Sequence, residues 1–149
     1  MEMSETLREW RGNGWLLDHE SSRSEIQALL AVVDRDLADS PLPGLSTDAS
    51  HNIAYNAALQ LAKAALAAAG FRTAGTAHHY RAIQSLAFTV GADAPALRRL
   101  DTARKQRNLA EYDAAGRISE GEAREVRGLA VELRESVVAW LGREHPGLI

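Results

Sequence analysis

Residues 48–69, DASHNIAYNAALQLAKAALAAA, constrain the fold more than any other stretch of the chain. Alanine has the highest intrinsic helix propensity, and Leu, Gln and Lys follow closely. The spacing predicts one long helix from about Asp48 to Ala69, with Gly70 as its C-terminal stop. Small apolar side chains lie on nearly every face of that helix. A helix apolar all round is a buried one, and small side chains let several neighbours approach closely. The segment therefore predicts a central helix with others packed around it. The longest apolar-rich run, AALQLAKAALAAAG, is too short and too Ala-rich to span a bilayer, and Lys63 interrupts it.

The partners of the central helix are marked by their own start and stop signals. Ser22 and Glu25 have capping-box spacing, and Ile26, Leu29, Leu30, Val33 and Leu37 follow at helical spacing until SPLPG at 40–44, where neither proline can continue a helix. A helix from about Thr76 to Val90 carries the stripe His79, Ile83, Leu86 and Val90, and Gly91 closes it. Asp93 is an N-cap with Pro95 in the first turn, where its missing N–H costs nothing. That helix runs to about Tyr112, before a turn at Gly116. Ser119 and Glu122 repeat the capping-box spacing, and Val126, Leu129, Leu133, Val137, Trp140 and Leu141 make a core face. No stretch alternates between apolar and polar residues, so no strand is predicted. The expected fold is all-α: an up-and-down bundle of four to five helices.

A chain of 149 residues fits one domain and can bury a sizeable core without staples. The expected organisation is an N-terminal arm or short helix over 1–20, carrying Leu7, Trp10, Trp15 and Leu16, a helical bundle over 21–145, and a tail over 146–149. With no cysteine, disulfides, thiol catalysis and Cys-zinc sites are excluded. The formal net charge of −3 means that any nucleic-acid surface must be a local basic patch. The first residues lack a basic segment followed by an apolar run, so no signal peptide is expected, and a cytoplasmic protein that does not enter a membrane is the default. Neither H-E-x-x-H nor E-x-x-H occurs, nor any P-loop or G-x-G-x-x-G, so no metal and no cofactor are expected.

One helix combines core and charge in a single stripe. At about 100° per residue, Arg107 and Glu111 each point within roughly 20° of Leu100, on opposite sides of it, with Arg104 slightly further round. Leu97 and Leu100 cover the first half of the stripe, and Arg104, Arg107 and Glu111 the second; Asn108 and Tyr112 lie beside it. Burying an unpaired charge costs several kcal/mol, so such a stripe must meet solvent, pair inside, or face a cleft. An Arg107–Glu111 pair contributes only a few tenths of a kcal/mol in that order. If the helices on either side of Gly91 are antiparallel, His78 and His79 sit across from Arg104 and Arg107. The resulting cluster joins guanidinium groups suited to phosphate with His, Glu or Tyr suited to proton transfer. A solvated face at a helix end, which attracts cations in any case, is the plainer alternative.

At these residues the chain resembles the HEPN superfamily, small all-helical proteins of prokaryotic toxin–antitoxin and defence systems. The resemblance covers about residues 22–141 and rests on helix order, on AALQLAKAALAAAGF leading to HHYRAIQSL, and on RKQRNLAEYD late in the fourth bundle helix. It implies a homodimer in which active members cut RNA without metal through an Arg, often followed by a polar residue, and a His four to six positions after that. Arg107 and Asn108 match the start of that motif, whereas Tyr112 stands where the His is expected, after Glu111. Tyrosine is a poor general base at neutral pH but can donate a proton or position a phosphate. The implied site comprises Arg107, Asn108, Glu111 and Tyr112 for catalysis and Arg104, His78 and His79 for nucleic acid. Two readings follow: an RNA-directed HEPN protein, nuclease or degenerate nuclease, or a non-catalytic HEPN-like module that engages a co-encoded partner, nucleotidyltransferase-like or antitoxin, or a nucleotide.

Overall fold

The computed structural model describes the backbone of residues 2–112 and 118–149, and side chains from residue 5 to 108 and from 118 to 149. Six α-helices make up most of it: α1 Glu2–Gly12, α2 Arg23–Asp39, α3 Thr47–Ala68, α4 His78–Ser85, α5 Ala94–Tyr112 and α6 Glu120–Glu144. Short 3-10 turns follow α4, over Leu86–Phe88, and α6, over Pro146–Leu148.

The Ala-rich segment is the central helix, as its composition predicts. Ala54, Ala57, Ala58, Leu61, Ala62, Ala64 and Ala65 of α3 are all buried, and α3 packs against α2, α4, α5 and α6. Its last turn ends at Gly70, whose φ of +101° suits glycine and lets the chain reverse. At the other end, Ser40 Oγ donates to Ser50 O at 3.0 Å while Ser50 Oγ donates to Ser40 O at 2.6 Å. These bonds fasten the end of α2 to the start of α3 as antiparallel neighbours. Arg127 Nη2 to Leu37 O at 3.2 Å and Arg134 Nε to Asp34 Oδ1 at 2.6 Å likewise set α6 antiparallel to α2.

The start signals operate as expected. Ser22 Oγ accepts from Glu25 N at 3.1 Å, Asp93 Oδ1 accepts from Ala96 N at 2.9 Å, and Ser119 and Glu122 form a complete capping box. Ser22 is only half of such a box, because the Glu25 carboxylate turns instead to His19 Nε2 at 2.8 Å.

Two expectations need correction. First, a two-stranded antiparallel ribbon is present, β1 Leu16–Asp18 against β2 Phe71–Thr73. Three-residue strands are too short to show a period, and β1 meets its partner only after α2 and α3 have passed. Second, the segment 76–90 is a shorter helix. Ala77 lies in the left-handed region at φ 57°, which blocks helix before His78, and α4 tightens into a 3-10 turn after Ser85. Of the two forms expected for the N-terminal residues, the short helix is present, packed on this same chain: Leu7 joins Leu16, Leu66 and Phe71 in a second buried cluster, and Trp10 stacks edge-on against Trp15 and Phe88. The last residues, expected as a tail, lie against the bundle. Leu148 and Ile149 pack on the main core, and the His145 ring lies 4.9 Å from that of Trp140.

Candidate functional site at the α4–α5 crossing

The turn at Gly91, φ +74°, returns the chain so that α4 and α5 run antiparallel. Tyr80 near the start of α4 lies under the Arg104 guanidinium, 5.4 Å from its ring centre, in the second half of α5. Tyr80 and Gln84 also share a cleft with Leu97, Arg98 and Asp101. His79, at the start of α4, stands within the electrostatic reach of both Arg104 and Arg107, and the His78 ring lies against it.

Along α5 the stripe changes character as the sequence requires. Leu100 and Ala103 are buried, while Arg104 and Arg107 are half-buried. Arg104 Nε donates to Asp101 Oδ1 at 2.7 Å, and Lys105 Nζ lies 3.5 Å from the other carboxylate oxygen. Asp101, the single acid among Arg98, Arg99, Arg104, Lys105 and Arg107, therefore neutralises part of their charge. The Arg107 guanidinium lies over the ring of Tyr55 on α3, 5.8 Å from its centre. Asn108 is exposed on the next position. The side chains of Glu111 and Tyr112 lie outside the described residues, so two of the four residues assigned to catalysis have a backbone position only.

The two histidines touch edge to face, with ring centres 4.4 Å apart. His79 is held below the ordinary histidine range, first by its partial burial and then by the positive fields of His78, Arg107, Lys63 and Arg104. Its ring is therefore neutral at neutral pH and can accept a proton or a hydrogen bond. Lys63, on α3, had no place in the sequence-derived cluster. Tyr55 was missed too. It is almost wholly buried, its hydroxyl has no hydrogen-bond partner among the described residues, and burial pushes its ionisation up to about 12 against the pull of Arg107 and Arg104. It can act as a proton-bearing donor but not as a base.

A second polar line runs beside this face. His51, fully buried on α3, places Nε2 3.2 Å from Gln106 Oε1, and Gln106 Nε2 donates to Glu122 Oε2. Glu122 Oε1 in turn accepts from Ser119 N at 2.9 Å. The bonds from Ser119 are the main cause that holds the Glu122 carboxyl below its usual range. This chain ties α3, α5 and the start of α6 together close to the cationic face. His51 and Tyr55 stand one turn apart on α3, and that i, i+4 pair of large polar rings among alanines was the available signal.

Among the described residues, no group of three or more His, Asp or Glu side chains converges as a metal site, and no helix is long and apolar enough to cross a membrane. Comparison with known proteins finds no family model that matches the chain, and no curated protein or solved structure with significant similarity to it.

Proposed function

We propose that this chain is a HEPN-like helical bundle that binds RNA by its phosphates at the α4–α5 crossing. The observation that supports this most is the field at His79: Arg104 and Arg107 from α5 and Lys63 from α3 all act on one half-buried neutral ring. Guanidinium groups at such a place suit phosphate oxygens by charge and fork geometry. Arg107 is the residue assigned to the transferred or bound phosphate, with Asn108 beside it, Arg104, His78 and His79 extending the contact along the strand, and Glu111 followed by Tyr112 where the family has His. The reading includes a cytoplasmic homodimer of toxin–antitoxin type.

RNA affinity should fall with salt, with a slope near −0.7 per phosphate neutralised on a single strand. Arg107→Ala is expected to weaken binding of a mixed single-stranded RNA in fluorescence anisotropy and to reduce the salt slope by about 0.7. An unchanged affinity and slope would remove this face as the RNA site. If the wild type also cleaves RNA in the presence of a chelator, Arg107→Ala should lower the rate about a hundredfold or more, by loss of charge stabilisation at the phosphate. Tyr112→His would then restore the usual family pair and raise the rate.

Tyr112 in place of the family His favours a second reading, a non-catalytic module that engages a co-encoded protein or a nucleotide. Absence of RNA binding, together with a stable complex with such a partner, would select it.

A further inference from the structure

The ribbon places a second set of charged groups far from any role in the bundle core. His19 is fixed at both ends: its backbone N–H donates to Gly70 O at 2.9 Å, and its ring nitrogen Nε2 lies 2.8 Å from both oxygens of Glu25. Glu25 is itself held at the first turn of α2 by the Ser22 cap. Between this wall, α3 and β2 lies a cavity of about 360 Å³. Its floor is apolar, with Leu66 and Phe71 buried. Its rim carries Lys63 and Arg72, both exposed and neither in an ion pair among the described residues.

The charges do not cancel. Glu25 is the one acid of the lining, and it faces His19, so Lys63 and Arg72 leave at least one positive charge uncompensated at the mouth. An apolar floor under a few convergent polar groups, in a volume at the lower end of the usual range, is the pattern of a small-molecule site. We propose that this cavity binds a small organic monoanion, a carboxylate on a short apolar or aromatic body. The body rests on Leu66 and Phe71, and the carboxylate meets the Arg72 fork and Lys63. Arg72 is exposed by the alternation of β2, which turns Phe71 inward and Arg72 outward. The site shares Lys63 with the field at His79 but takes no other residue of the α4–α5 face, and its test uses no RNA.

Phenylacetate is the probe, with 2-phenylethylamine as the cation of the same body and 2-phenylethanol as the neutral one. The expected result on the full chain is a saturable shift of the His19 and Phe71 resonances by phenylacetate in about the millimolar range, with the alcohol weaker and the amine inactive. Lys63→Met and Arg72→Met keep an apolar stem at exposed positions, so each should melt like the wild type. Each is expected to weaken phenylacetate about tenfold, the usual effect of losing a charged hydrogen bond. Absence of a saturable shift would overturn the proposal, as would an amine or alcohol that binds as well as the acid. An unchanged affinity in the folded double variant would do the same.

Discussion

Tyr55→Phe should make this protein more stable. The side chain is 1% exposed, and its hydroxyl finds no hydrogen-bond partner among the described residues. Removing a hydroxyl from water without a replacement bond costs about 1–3 kcal/mol in proteins. Phenylalanine keeps the ring, so the packing inside α3 and the bundle is unchanged. It also keeps a π face for the Arg107 guanidinium, which lies 5.8 Å from the ring centre. What is lost is an unpaired polar atom, and the net expectation is a gain of about 1 kcal/mol in unfolding free energy. With an unfolding entropy near 2.1 cal/mol/K per residue, a 149-residue chain should gain about 3 °C in melting temperature. Urea unfolding followed by circular dichroism gives the free energy, and an unchanged m-value shows that the denatured state was not altered. The gain should be flat across neutral pH, because the hydroxyl is protonated in the unfolded chain, near 10, and in the folded one, near 12. A loss of about 1 kcal/mol or more would refute the reasoning, since the hydroxyl must then make a stabilising bond. If the gain appears while RNA affinity falls, the unpaired hydroxyl is a cost carried for binding at the Arg107 face.

His79 gives a pH dependence of definite sign. Its folded pKa lies below the ordinary value near 6.5, so the unfolded chain takes up the proton first as pH falls. Stability should therefore decline as pH drops below about 6.5, and His79→Gln should lose less between neutral and mildly acid pH in urea titrations. A His79 protein no more acid-sensitive than the Gln variant would contradict the burial and the four positive neighbours. Ser119→Ala removes the acceptor for Glu122 N, at 3.1 Å, and breaks the capping box of α6. Thermal unfolding should show a loss of about 1 kcal/mol, and the Glu122 carboxyl should titrate closer to its ordinary range by carbon-detected NMR; no change in either would mean that the cap is not formed.

The parts of this fold that are legible in the sequence are those whose causes are local. Ser22, Asp93 and Ser119 each announce a helix start within three residues, and the structure uses all three. The crossing of α4 and α5 follows from one glycine turn, so the meeting of His79 with Arg104 and Arg107 could be read in advance. The ribbon could not, because Leu16 finds Thr73 only through the packing of α1, α2 and α3 around it. The site shows the same division. Arg104 and Arg107 stand out on α5 because they replace Leu on a core stripe, whereas Tyr55 and Lys63 were absorbed into the reading of α3 as a uniform core helix. Yet Tyr55 is what explains the stripe. An alanine at position 55 would remove the ring over which the Arg107 guanidinium lies, 5.8 Å from its centre. The tyrosine ring offers a negative π face there, which accepts a partly buried cation. The guanidinium at the end of the core stripe thus meets an aromatic face on α3, and the charge there is supported from below rather than merely tolerated.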